Sequence, residues 1–377
     1  EYKVPNSTAE QLWKFMETDL TEAITSGKLT SKTSLEDRDG GTRATLEAAR
    51  CLLGKIYLYQ EKYADAKSEL EKVISSGKYD LIADVSTFYH PASAGCKEYV
   101  LECVRHYDPS NMYSQEGWFG ILANWGFGYG FIAGPEASMH YKFNTTSGYS
   151  YFNPSKSLYD AFVAEEGADG YRLNAWIRTW EQVIAMNIAV NTTTNKYASE
   201  GYFRLKWLAS TDDEFVGYWC GNQSNTPVIR YADVLLMAAE ACLQAGDQAG
   251  ADEYLGRVRD RARLPRKSHV TLSDIKLERR LELAMEGMRF QDLKRWGDAP
   301  AVLADKGKKL PTFQIVPDPN NDLTTAAGIY NARYTTKTTY VDNEKSLAGW
   351  TPNRDEWLPF PENELEVNSN LKQNPGY

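Results

Sequence analysis

Between Thr45 and Gly77 the chain spaces small and large residues as a close-packed helix hairpin requires. Leu53-Gly54 and Tyr57 fall on a first helical stretch, and Tyr63, Ala66, Leu70 and Val73 on a second. The small residues let two helices approach, and Tyr57 fills the space beside them. A unit of about 34 residues with this order is a helix-turn-helix repeat of the tetratricopeptide kind. Ile229 to Leu264 offers a second, looser pair, with Ala238, Ala239, Ala241, Ala251, Leu255 and Val258 in comparable places. A third helical segment runs from Ser273 to about Trp296, with Leu277, Leu281, Ala284, Met285 and Met288 on one stripe.

Ahead of the first hairpin, residues 8–27 read as a helix. Thr8 and Gln11 form a capping-box pattern, and Leu12, Phe15, Met16, Leu20, Ala23 and Ile24 recur at helical spacing. Residues 28–43 are polar and read as a loop. Helical scaffold is thus expected over 8–80 and 229–297, in one α-rich domain. Between these blocks, 81–228 is rich in Gly, Tyr, Trp, Asn and Thr and reads as a large loop-rich insertion, with short helices at 156–165 and 170–179. Helical repeats commonly carry functional insertions on one face. Residues 298–377 read as an irregular C-terminal segment with a Pro-rich tail.

Twenty-four Tyr and ten Trp exceed what a core of this size needs. Both side chains tolerate half-exposed positions and serve as flat recognition surfaces. A net charge of −9 with no basic block argues against nucleic acid. Five cysteines, at 51, 96, 103, 220 and 242, are too scattered for a disulfide scaffold or a zinc site. Cys51 and Cys242 fall on helices as small hydrophobes, and Cys96 and Cys103 lie near enough in sequence to pair across a short loop. No run of about 18 apolar residues spans a membrane. No signal or lipid-accepting cysteine precedes Glu1, so any anchor is expected to lie outside this sequence.

Catalytic patterns are weak. The four histidines, at 90, 106, 140 and 269, show no H-x-x-x-H spacing, and neither a G-x-S-x-G elbow nor a G-x-x-x-x-G-K-[ST] loop occurs. Glu116 and Glu136 are the nearest thing to a glycosidase acid pair. Asp318, Asn320, Asn321 and Asp322 supply oxygen ligands that could hold a structural calcium, although a solvated loop is the favoured reading. No other cofactor is indicated.

Three ordered segments carry a family resemblance: Arg230-Tyr231-Ala232-Asp233 through Ala241, Glu278-Arg279-Arg280 through Trp296-Gly297, and Leu358-Pro359-Phe360-Pro361 through Leu365, closing with Gln373-Asn374-Pro375-Gly376-Tyr377. Each resembles a signature of the SusD/RagB glycan-binding lipoproteins of Bacteroidetes, as does the repeat at 45–79. The charges inside the first two segments have their own reading. Arg230, Asp233 and Glu240 share a face of one apolar helix. Arg279, Glu282, Glu286 and Arg289 share a face of another if it continues through Gly287. Buried charges must pair, so inter-helix ion pairs are expected there, rather than catalytic groups.

The resemblance implies a shallow glycan platform on aromatic loops, an oligosaccharide or polysaccharide ligand, and delivery to a TonB-dependent, SusC-like transporter at the extracellular face of the outer membrane, with no bond broken. It also implies that family members carry a region ahead of Asp19-Leu20, including a lipid anchor, that this sequence lacks. Asn111, Tyr113, Trp118, Trp125, Phe127 and Tyr129 are the candidate ligand residues, with Gln115, Phe119 and Asn124 among them and Gly117, Gly120, Gly126, Gly128 and Gly130 between. Planar rings stack on the apolar faces of sugars while amides bond hydroxyls. The alternative for any one ring is a satellite core. Tyr141, Tyr149, Tyr151, Trp207, Tyr218 and Trp219 are secondary candidates, and Trp176, Trp180 and Trp296 are assigned to the core. Rival readings are a tetratricopeptide adaptor for peptide or protein and a glycoside hydrolase.

Overall fold

The computed structural model describes residues 3–104, 153–179, 181–182, 196–197, 199–206, 225–322, 324–325, 328, 333–345 and 348–377. Helix α1 spans Ala9–Thr25 and starts with the expected capping box, in which Thr8 and Gln11 exchange side-chain and backbone bonds. Helices α2 (Leu46–Tyr59) and α3 (Tyr63–Ser75) form the first hairpin. A Cβ on Gly54 would lie 2.8 Å from Leu70 Cγ, so the glycine sets how closely the two helices pack. Strand β1 (Tyr99–Cys103) follows.

Within the expected insertion come α4 (Lys156–Glu166), α5 (Tyr171–Trp176), β2 (Ile177–Thr179), β3 (Lys196–Tyr197) and β4 (Tyr202–Arg204). The helix expected over 170–179 therefore stops at Trp176. Its last residues, Ile177 to Thr179, pair antiparallel with Tyr202 to Arg204, as suits β-branched side chains.

Strand β5 (Thr226–Arg230) runs directly into α6 (Tyr231–Gln244), and α7 (Gln248–Arg261) folds back on it. Twelve of the fourteen α6 residues are buried, Tyr231 through Cys242, because the helix is enclosed on all sides. It packs on α7, on α3 and on α8 (Leu272–Glu282). The two hairpins thus stack through α3 and α6, and their shared core runs from Leu58, Ala66 and Leu70 to Ala238, Leu255 and Val258.

The segment expected as one helix from Ser273 to Trp296 is two. Helix α8 ends at Glu282 and α9 begins at Arg289. Met285 (φ +65°) and Gly287 (φ +81°) take left-handed conformations that a continuous helix excludes. Short α10 (Ala299–Val302) precedes a nine-residue antiparallel ladder, β6 (Lys309–Pro317) with β7 (Tyr334–Asp342), to which β3 adds in the order β3-β6-β7. This ladder corrects the irregular reading of 298–377. Strand β7 is Thr-rich and mostly exposed, and β6 is interrupted by Pro311 and ends on Pro317, so neither shows the apolar alternation that marks a half-buried strand.

Helix α11 (Glu362–Val367) lies in the tail. The tail folds on itself: Gln373 bonds both backbone groups of Phe360, and the Asn374 amide donates to Leu358 O at 2.7 Å. Asn368 and Asn370 donate to Val4 and Lys3, joining the chain's two ends. No helix among the described residues is long and apolar enough to cross a membrane.

Candidate functional site

Asn111, Tyr113, Trp118, Trp125, Phe127 and Tyr129 lie outside the described residues. So do Glu116 and Glu136, the secondary candidates Tyr141, Tyr149, Tyr151, Trp207, Tyr218 and Trp219, and also Trp180 and Cys220. What the structure describes is the frame on either side of them. Strand β1 ends one residue before the first undescribed stretch, and it pairs antiparallel with β5, with Tyr99 opposite Arg230 and Cys103 opposite Thr226. Glu102 on β1 is buried and accepts from Asn225 Nδ2 at 3.0 Å and from Gly95 N at 2.9 Å. Burial raises its carboxyl despite those donors.

Beneath this ladder sits a water-excluded network of charges. Arg230 reaches Glu98 at 2.6 Å, Glu282 at 3.1 Å and Glu286 at 2.6 Å. Arg261 pairs with Glu98 and Glu282. Arg172 on α5 binds Glu166, Glu278 and Glu282, and Arg259 continues to Glu278 and Glu165. Lys206 donates to Glu286 at 2.5 Å and to the carbonyls of Glu282 and Ala284, with its ammonium 3.8 Å from the Trp176 ring centroid. Burial pulls Lys206 down to about 8, even with Glu286 beside it. Burial by itself would raise Glu282, but Arg261, Arg230, Arg172 and Lys206 outweigh it and hold that carboxyl well below the usual range.

A second network ties α6 to α8 and α9. Arg279 binds Asp233 at 2.7 Å and Asp292 at 3.0 Å, while Arg295 binds Glu240 and Asp292. Trp296 is only half-buried, which corrects its assignment to the core, and its indole donates to Glu240 at 2.9 Å. Trp176 is a core residue as expected, with its N–H on Val85 O. The inter-helix ion pairs are present, with one exception. Arg289 makes no ion pair among the described residues, because the break at Gly287 takes it off the face of Arg279 and Glu282. These carboxylates are each engaged by cations, so their chemistry is to lock elements together. Glu98, Arg172, Lys206 and Arg261 were missed by sequence reasoning, since partners this far apart along the chain leave no local pattern.

Two further clusters have polar ligand atoms. Asp318 Oδ1 accepts from Asn320 N and Nδ2, Asn321 bridges the backbone of Arg333, and Asp322 accepts from Thr324 and Thr325. Their oxygens serve the turn. Glu71, Cys242 and Asp247 bring ligand atoms within 4.8 Å of one another. Lys67 already lies 2.7 Å from Asp247, and burial raises the Cys242 thiol to about 12. That cluster is a satisfied ion pair beside a protonated thiol. Cys51, Cys96, Cys103 and Cys242 are all free, so the Cys96–Cys103 bridge is absent.

A family model described as the SusD family matches residues 97–377. This chain belongs to the SusD family. The SusD-like protein P2 of Formosa agariphila is 26% identical over 362 residues, 87% of this chain and 59% of that protein. A SusD-like protein of Bacteroides ovatus is 31% identical over 170 residues, 40% of this chain and 29% of that protein. The chain therefore spans well under two thirds of these relatives' lengths. Among solved structures, a laminarin binding SusD-like protein superposes with a TM-score of 0.74 at 27% identity, covering 98% of this chain and 70% of that one. Surface glycan-binding protein A from Bacteroides thetaiotaomicron, in complex with laminarihexaose, matches with a TM-score of 0.70 at 25% identity, covering 98% and 72%. The SusD-like α-rich fold is thus shared with glycan-binding proteins.

Proposed function

We propose that this SusD-family chain captures oligosaccharide or polysaccharide at the extracellular face of the outer membrane and passes it, uncleaved, to a TonB-dependent, SusC-like transporter. Laminarin-type glycan is the first ligand to test. The observation that carries this reading is the match over 98% of the chain to a protein with laminarihexaose bound. We place the ligand on the aromatic stretch that includes Asn111, Tyr113, Trp118, Trp125, Phe127 and Tyr129. Supporting this are ring types suited to sugar faces and membership of the SusD family. Attachment to the membrane would come through a lipid anchor.

Native gel electrophoresis through immobilised laminarin tests the assignment. The wild-type chain is expected to be retarded, and Trp118→Ala and Trp125→Ala to run faster with unchanged circular dichroism. Equal retardation of both variants sinks the site, and lack of retardation of the wild type sinks the ligand. Shortened products after incubation with laminarihexaose would favour a hydrolase.

A further inference from the structure

A cleft of about 380 Å³ opens where the loop after α7 meets the start of α5, lined by Glu166, Asp169, Tyr171, Asn174, Arg263 and Leu264 among others. Its floor is fixed. The Tyr171 hydroxyl shares its one proton between Asp84 Oδ1 (3.1 Å) and Ala83 O (3.3 Å) and accepts from Val85 N, which anchors the ring. Arg263 lies over that ring, its guanidinium 3.7 Å from the centroid. Arg263 makes no ion pair among the described residues. Asp84 feels its charge across a gap too long for an ion pair, while Ser86 and Tyr171 both engage Asp84 Oδ1. Glu166 is likewise occupied by Arg172.

Arg263 also sits in a left-handed conformation, φ +62°, at the end of α7, where glycine is favoured. The backbone there closes through Arg263 N on Asp260 O and Leu264 N on Arg259 O. A stacked arginine with no ion pair among the described residues, at a concave site, presents a planar fork suited to an incoming carboxylate. Beside it, Asn174 accepts from Gln182 through Oδ1, and its Nδ2 has no acceptor among the described residues. Asp169 is exposed and can accept. Leu264 adds an apolar wall.

We propose that this cleft binds an acidic sugar of the hexuronate class, its carboxylate on Arg263 and its ring hydroxyls on Asn174 and Asp169. A neutral sugar leaves the guanidinium unpaired, and a bare anion leaves Asn174 and Asp169 unused. The site shares no residue with the aromatic stretch, so it stands whether or not laminarin is the ligand there.

Isothermal titration with D-glucuronate tests it, with D-glucose and inorganic sulfate as controls. Millimolar binding of glucuronate is expected, at least tenfold tighter than glucose or sulfate and weakened by added salt. Arg263→Gly suits the left-handed backbone, so it is expected to keep the melting temperature within a few degrees and to weaken glucuronate at least tenfold. Arg263→Lys is expected to fall between. Wild-type protein that ignores glucuronate, sulfate that binds as tightly, or folded Arg263→Gly with unchanged affinity overturns the proposal.

Discussion

Arg230 Nη1 lies 2.6 Å from Glu98 Oε1, with both side chains cut off from water at the point where β5 pairs with β1 and α6 begins. The neighbouring Tyr231 N also donates to Glu98 O at 2.8 Å. Removing one partner of a buried pair strands the other's charge, at a cost of about 3–5 kcal/mol. Arg230→Met takes one cation from each of three buried carboxylates, Glu98, Glu282 and Glu286, which keep only Arg261, Arg172 or Lys206, and is expected to lose stability within that range. Glu98→Gln leaves Arg230 with two partners and should cost clearly less. Urea unfolding of the two variants checks the order, and equal losses would refute it.

Acid should reach the same network. Glu282 and Glu286 are pushed up by burial but held down more strongly by their cations, and Asp233 likewise by Arg279. Their folded-state values lie below the unfolded ones, so their stabilisation is complete above about pH 4.3 and drains away as pH falls further. Glu98 and Glu166 behave oppositely, because burial raises them past their arginines. They take up protons first, so stability rises slightly as pH falls through their folded values, before the loss below about pH 4.3 sets in. Urea midpoints at pH 7 and pH 3 are expected to differ less for Glu282→Gln than for wild type, although that variant is weaker at pH 7.

At Gly54 two effects of opposite sign compete. Alanine in a helix interior is favoured over glycine by about 1 kcal/mol. Its Cβ would meet Leu70 Cγ at 2.8 Å and Cδ2 at 3.0 Å, and Leu70 is fully enclosed. Overpacking of this kind costs about 1–3 kcal/mol. Gly54→Ala is expected to destabilise, and to become neutral or favourable once Leu70→Ala has made room. A double-mutant cycle measures that coupling, and simple additivity would show that the helices do not touch there.

The close approach at Gly54 was legible because a hairpin's packing is written in adjacent turns of chain. So was the Thr8–Gln11 cap. The break between α8 and α9 was not, since the apolar stripe of Leu277, Leu281, Ala284, Met285 and Met288 runs straight across it, although Gly287 was a hint. Arg230 and Arg279 could be read as needing partners, but Glu98 and Arg172 are recruited from far along the chain, where no local pattern links them. For the candidate site, the sequence shows ring types and glycine spacing, while the relative placement of the rings depends on tertiary geometry that spacing does not encode.

Thiol accessibility separates the cysteines sharply. Cys103 closes β1 and is exposed, whereas Cys51, Cys96 and Cys242 are buried. Burial raises the Cys96 thiol to about 11 and Cys242 to about 12, and it pushes Cys51 well up with Asp233 and Glu47 adding to it. Alkylation proceeds through the thiolate, so these three are doubly protected, by enclosure and by protonation. Iodoacetamide at pH 8 followed by peptide mass mapping is expected to label Cys103 within minutes and to leave Cys51, Cys96 and Cys242 unmodified until urea is added. Because Arg230 anchors the frame around Cys96, Arg230→Met should raise labelling at Cys96 before it does so at Cys51 in the hairpin core. Simultaneous exposure of both would mean that the frame and the helical core open as one unit.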